Sequence, residues 1–442
     1  MQLRLLILII GLFTSCACAA PQTTADEPRA DALLDEVWGI VNEQFFDPAF
    51  KGVDWHAARR RFAARLDDSM AAERAAEVIN EMLKELGASH TRLYLPETVE
   101  YHELVDIYRE ALGDDLRRVF PDGIVHYSGF GVAGQPEQDG SIVLTDVYEA
   151  GTALNAGLRP GDRFVMIRRG QPDDPPPMCG TFMTMSPMLA FKGGVGMDVT
   201  LVVRRGSAKD PLRRAVTLRD IVPHELFLES MRRSARVIER DDQRLAYVRL
   251  RSWAGEEYQN LLIELLNAEP LRSCDGLILD LRGGWGGANP EYLSVFGCGP
   301  PTLEMSNREG QINRIAKNPD NIVPVEQQWR KPVTLLIDEG TRSGKEIFTY
   351  AFKKAGRGKV VGTRTAGAVL GGRPFLLSDG SLLVVAVSDV RVDGVRLEGV
   401  GVEPDVHAEN PALELRGNDD PQLERSLDVL ATEASGSPVM PR

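Results

Sequence analysis

The chain has 442 residues, 43% of them hydrophobic, which is enough for several cores and about two to four structural units. Acidic residues outnumber basic ones by 64 to 51, and the formal charge of −13 argues against nucleic acid and anionic membranes as partners, because phosphate contacts need clustered cations. The six histidines and five cysteines show no zinc-ligand spacing, so no metal or cofactor is expected.

At the N-terminus Arg4 precedes an apolar run over 5–13 and then Ala17-Cys18-Ala19. The run is too short to span a bilayer and predicts a signal peptide over 1–19, cleaved after Ala19, with export across an inner membrane to a bacterial periplasm. The rival is a lipoprotein anchored through Cys16, which follows Phe13-Thr-Ser. Three cysteines remain beyond the leader, Cys179, Cys274 and Cys298, an odd number that cannot form a full disulfide framework. Past a polar stretch, Leu33, Leu34, Val37, Ile40 and Val41 recur at helical spacing. With further helices over 55–66 and 71–86 they predict an N-terminal helical module, 29–115, that carries Ser89-His90.

A second unit is expected over 119–222. Gly129-Phe-Gly-Val-Ala-Gly134 matches G-x-G-x-x-G, but a dinucleotide fingerprint must open a helix. Here Gln135 to Gly140 and the strand over 142–144 read as a hairpin, so the dinucleotide reading fails on context. The segment Gly129, Phe130, Gly131, Val132 instead resembles the carboxylate-binding loop of a PDZ domain, and Tyr148 to Asp162 resembles that domain's short helix and turn. The resemblance implies capture of a peptide or protein through its free C-terminus, by β-augmentation. The insertion Gln171 to Pro177 points to a nonstandard version of it.

The third unit, 226–412, alternates strands (245–250, 276–280, 333–337, 360–361) with helices (256–266, 343–354), the pattern of a layered β/α core, and 382–387 reads as a later buried strand. The strand over 333–337 breaks at Gly340 and re-enters a helix at Ser343. A strand-to-helix turn exposes the hydroxyl, and free N–H groups at the helix start favour a developing oxyanion. Gly340 to Lys345 is one residue short of a phosphate-binding loop and is followed by Glu346 rather than Ser or Thr. The strand over 276–280 runs into Gly283-Gly-Trp-Gly-Gly287, which suggests backbone approaching something closely. The tail, 413–442, predicts one more amphipathic helix over 422–432.

Taken in order, Leu86-Gly-Ala-Ser-His-Thr-Arg-Leu93, Gly276 to Gly287, Ser343 in its turn, and Leu397-Glu-Gly-Val-Gly-Val-Glu-Pro-Asp405 resemble the serine peptidase family of tail-specific (carboxyl-terminal processing) proteases and the tricorn core protease. The resemblance runs from about 33 to 410. It implies a multidomain α+β fold: helical module, PDZ-like β-rich domain and crotonase-like β/α protease core. The lysine and glutamine of the better-known branch would lie 25 and 29 residues beyond the serine, and those positions are Ala368 and Gly372. The serine–lysine dyad is therefore absent, and a serine without a base is a weak nucleophile. The tricorn-like branch implies His90 as general acid–base, Glu398 as the acid behind it, and Ser89 as a polar orienter; Glu403 and Asp405 are the alternatives to Glu398. It also implies oxyanion donors at Gly344 and at Gly286, with Gly287 as the alternative. The expected function is a secreted serine endopeptidase acting through an acyl-enzyme. The alternative is an inactive peptide-binding scaffold. Lysines such as Lys345, Lys353 and Lys359 are not expected to act as bases.

Overall fold

A computed structural model of the chain describes residues 30–67, 69–137, 141–169, 190, 194–206, 208, 210–315, 322–410 and 420–436. The predicted leader over 1–19, Cys16, Cys179 and the insertion Gln171 to Pro177 lie outside the described residues. Cys274 and Cys298 are both free thiols. No described helix is long and apolar enough to cross a membrane.

The central sheet has six strands in the order Val406–His407, Lys359–Gly362, Val333–Ile337, Gly276–Asp280, Gln243–Arg249, Arg236–Arg240. All neighbours are parallel except the last pair. Gly276–Asp280 and Val333–Ile337 are buried at every position, as expected of parallel strands covered on both faces. The covering follows the period of two. Leu277, Leu279, Leu335 and Ile337 pack into the large core with Phe348 and Phe352 of the helix Gly344–Lys354, whereas Ile278 and Leu336 meet Leu427 and Leu430 of the C-terminal helix Pro421–Gly436. The loops that leave the C-terminal ends of Gly276–Asp280 and Val333–Ile337 come together, which is where open α/β sheets place their sites.

The helices Ala30–Gln44, Trp55–Ala63 and Ala72–Lys84 form at the predicted positions, the second capped by the Asp54 carboxylate accepting from the N–H of Ala57 at 2.8 Å. Their shared core is completed from far downstream, by Leu370, Leu377, Leu383, Val385 and Ala386. Three short amphipathic helices cannot bury their faces on one another alone, so they lean on a second sheet. That sheet is built around the strand Leu382–Val392, longer than the 382–387 expected, and the short strand Arg92–Tyr94 pairs with it antiparallel, Arg92 opposite Val384. His90 lies just before this strand, so the pairing fixes where it stands.

A five-stranded antiparallel sheet, Val132–Pro136, Ile142–Val147, Arg163–Arg169, Asp198–Arg204 and Leu212–Thr217 in sequential order, forms a separate β-rich layer with the short helix Thr152–Asn155. Gly129 to Gly134 enters a hairpin in which Val132 faces Val147, and no helix begins there. Val132–Pro136 is an edge strand.

Candidate active site

Ser343 caps the helix Gly344–Lys354 at φ 56°, ψ −127°, a conformation that non-glycine residues rarely adopt. Contacts with Ala368 and Glu346 hold the strained turn. The N–H of Ser343 donates to the carbonyl oxygen of Ala368 at 2.9 Å, and also lies 3.1 Å from Oε2 of Glu346. Glu346, one turn into the helix, is fully buried and accepts besides from Thr365 Oγ1 at 2.6 Å and from the N–H groups of Gly367 and Ala368 at 2.7 and 2.8 Å. Burial pushes its carboxyl up, and these donors work against that. Sequence reasoning missed this role, since Glu346 reads as an ordinary first-turn glutamate.

The oxyanion candidates converge on this turn through lack of side chains. A Cβ on Gly286 would stand 2.5 Å from Cβ of Ser343 and 2.8 Å from the nitrogen of Gly344. One on Gly344 would meet the nitrogens of Ala288 and Gly287 at 2.4 and 2.9 Å. Both sites accept only glycine. Among the described residues the N–H groups of Gly286, Gly287 and Gly344 donate to no protein acceptor, so they remain available to an oxygen beside Ser343. The loop itself is anchored: the N–H of Trp253 donates to the Gly286 carbonyl at 3.0 Å, and the indole N–H of Trp285 donates to Oε2 of Glu103 at 2.6 Å. Glu103 is buried and also receives the Tyr148 hydroxyl at 2.8 Å; burial pushes its carboxyl up to about 8.

The base side is a chain of side chains. Glu398, nearly fully buried, accepts from the N–H of Ser89 at 2.9 Å through Oε1, and through Oε2 from the Ser89 hydroxyl and the N–H of Val369, both at 2.8 Å. Ser89 Oγ lies 2.9 Å from Nδ1 of His90. The carboxylate has no proton to give, so the Ser89 hydroxyl donates to it and must accept from the imidazole. That pattern assigns the proton to Nδ1 and leaves a lone pair on Nε2. Burial pushes His90 down to about 4, opposed by the charge of Glu398 and assisted by that of Arg342. His90, like Ser343, has positive φ, at 54°.

One segment joins the two sides. Ala368 touches Ser343 and Glu346 through its backbone, Val369 touches Glu398, and Gly372 backs His90, where an added Cβ would come within 3.1 Å of the ring carbon Cδ2. Ala368 and Gly372 are the two positions without the lysine and glutamine, and the second of them makes room for the histidine. Neither Glu403 nor Asp405 takes the place of Glu398: the backbone carbonyl of Glu403 accepts from Lys353 Nζ at 2.6 Å, and the Asp405 carboxylate lies 3.1 Å from the same ammonium.

Gly129, Phe130, Gly131 and Val132 lie in the β-rich layer. Phe130 is a core residue, its ring edge-on to Phe164 at 5.9 Å, and Val132 is likewise buried. The carbonyls of Phe130 and Gly131 are occupied by the N–H groups of Ala153 and Tyr148 at 3.0 Å each. Phe130 and Val132 thus give their side chains to the core of this layer. Among the described residues no group of three or more histidines, cysteines and carboxylates is placed to hold a metal ion.

Residues 244–408 match peptidase family S41, and residues 30–84 match the tricorn protease C1 domain. The chain is 28% identical to carboxyl-terminal-processing peptidase 3, chloroplastic, of Arabidopsis thaliana, covering 90% of this chain and 72% of that one. It is 25% identical to the carboxyl-terminal-processing protease of a Synechocystis species, covering 90% and 86%. A tricorn protease homologue of Streptomyces coelicolor is 26% identical over 93% of this chain, which spans only 34% of that longer protein. Among solved structures, an S41 protease of Bacteroides fragilis superimposes with a TM-score of 0.51 over 90% of this chain and 97% of its own, at 14% identity, a likeness of fold alone.

Proposed function

We propose that this serine peptidase, which matches peptidase family S41 over residues 244–408, uses Ser343 as its nucleophile, His90 as its general base, and Glu398 as the acid that acts on His90 through Ser89. The observation that carries the reading is the contact chain Glu398–Ser89–His90: where the carboxylate accepts from the Ser89 hydroxyl, that hydroxyl accepts from Nδ1, and Nε2 is left free to take a proton. In this mechanism Nε2 takes the Ser343 proton as Oγ attacks the scissile carbonyl, and Glu398 steadies the imidazolium across the Ser89 hydroxyl. Gly344 with Gly286, or Gly287 in its place, donates to the tetrahedral oxyanion. The imidazolium then returns its proton to the leaving amine, and water repeats the sequence on the acyl-enzyme. No lysine is needed.

The finer organisation belongs to the same proposal: a helical module over 29–115, a PDZ-like unit over 119–222, a crotonase-like β/α core over 226–412, and a C-terminal helical tail over 413–442. The place of Val132–Pro136 at the edge of its sheet supports peptide capture by strand addition in the PDZ-like unit. Endopeptidase action on exported substrates, in the periplasm or at a membrane through Cys16, is the setting the leader suggests. A fluorophosphonate probe, which phosphonylates activated serines, tests the reading. Wild-type protein should label and Ser343→Ala, equally folded by circular dichroism, should not; labelling that survives in Ser343→Ala would remove the nucleophile from the scheme, and absence of labelling in the wild type would favour an inactive peptide-binding scaffold.

A further inference from the structure

Lys345 stands two residues beyond Ser343, on the first turn of the same helix, and has no exposed surface. Its Nζ donates to the carbonyl oxygens of Leu250 at 2.7 Å, Gly283 at 3.0 Å and Arg251 at 3.2 Å, with that of Leu281 at 3.5 Å. Leu250 and Arg251 follow the strand Gln243–Arg249, and Leu281 and Gly283 follow its parallel neighbour Gly276–Asp280. One side chain thus ties two strand ends to the helix that carries the serine. The Arg251 carbonyl it holds also accepts the N–H of Trp285 at 2.6 Å, and a Cβ on Gly284 would fall 2.0 Å from that oxygen. The loop is cinched at this point, immediately before Gly286 reaches Ser343.

We propose that Lys345 is a positioning residue whose ammonium sets the loop 283–287, and with it the oxyanion-hole amides, against Ser343; the inference rests on the serine-peptidase reading of the site. An ammonium has three N–H donors, and three carbonyl oxygens lie within 3.2 Å. The neutral amine would have two donors and would turn its lone pair towards a carbonyl. With its hydrogens spent in this way, Lys345 offers nothing to the Ser343 proton. Burial works against the charge and pushes the group down to about 7; Arg249 and Arg342 act in the same direction, and Asp280 and Asp338 oppose them. The sign follows. The tether is complete well below pH 7 and is released as pH rises through about 7.

Saturation kinetics of fluorophosphonate labelling on the full chain separate the maximal labelling rate from probe affinity. In wild type the maximal rate should fall on the alkaline side while thermal unfolding shows the fold retained. Lys345→Met, close in size but unable to charge, should lose about 10²-fold in maximal rate with probe affinity within about twofold, and its alkaline fall should vanish. Lys345→Arg, which stays charged, should label more slowly than wild type but without the alkaline fall. A folded Lys345→Met that labels at the wild-type rate, or an alkaline fall that persists in both variants, would overturn the inference. If Lys345→Met does not fold, wild type and Lys345→Arg decide, and if neither variant folds, a wild-type rate flat to pH ~10 overturns it. Labelling of Ser343→Ala would sink the serine reading, whereas a fully active Lys345→Met beside a silent Ser343→Ala sinks this inference alone.

Discussion

On one side of Ser343 the site is made of side chains. Glu398, Ser89 and His90 are joined by polar atoms across 309 residues of sequence, each filling the bonding capacity of the next. On the other side, Gly286, Gly287 and Gly344 contribute backbone only, pressed so closely that a single methyl would collide with Ser343, Ala254 or Ala288 respectively. The two halves should therefore fail to opposite insults. The base side is sensitive to the loss of a polar atom, the oxyanion side to the gain of a carbon.

The largest effect that sharpens this contrast is expected on the glycine side. Gly286→Ala places a Cβ 2.5 Å from Cβ of Ser343 and 2.8 Å from the nitrogen of Gly344, so one of them must move. Peptidase turnover should fall about 10²- to 10³-fold, the range for loss of an oxyanion donor, and near-wild-type turnover would mean the loop does not define the hole. Glu398→Gln comes next. It keeps the volume but turns an amide on at least one of the three donors from Ser89 and Val369, and it removes the charge behind the imidazolium. Turnover should drop about 10²-fold, because the acid acts through Ser89 and not by direct contact. Because Glu398 is the group that raises His90, its loss should also carry the acid limb of the pH–rate profile below its wild-type position. An unmoved acid limb would break the relay.

The smallest effect crosses the divide. Gly372→Ala adds a carbon on the base side, 3.1 Å from the His90 ring, a contact that a shift of a few tenths of an ångström relieves. Turnover should fall about tenfold or less, in keeping with a small misplacement of the base. A loss as large as that of Gly286→Ala would show that the base side too is set by close packing.

The same difference governs what the sequence made legible. The strands Gly276–Asp280 and Val333–Ile337 and the turn at Ser343 are local events: apolar runs, a break at glycine, a helix start. The glycine loop announced a close approach by composition alone, though not what it approaches. Glu398 could be named only through resemblance, because nothing within ten residues of it speaks of Ser89. The second sheet escaped local reading for a related reason: Arg92–Tyr94, Leu303–Ser306 and Ile312–Ile315 are three or four residues long, Leu382–Val392 pairs with the first from nearly 300 residues away and with the second, and the third is joined only through the second. Glu103, Lys345 and Glu346 were missed because each sits on a helix, where a charged residue ordinarily faces water. Only the fold buries them and makes them structural elements of the site. Phe130 shows the converse, an aromatic residue in a loop that turns out to belong to a core.

The measurement that bears most directly on the central claim is the fluorophosphonate labelling rate of wild type and His90→Ala across pH. With the His90 imidazole held down to about 4, wild type should lose no labelling rate between pH ~7 and ~5.5 and should fall only as pH approaches 4, whereas an imidazole at its ordinary value would already fail near ~6.5. His90→Ala should be slower by on the order of 10³-fold or more, with no such acid limb. A folded His90→Ala that labels as fast as wild type would contradict the account, because the proton of Ser343 would then have to leave to some other base.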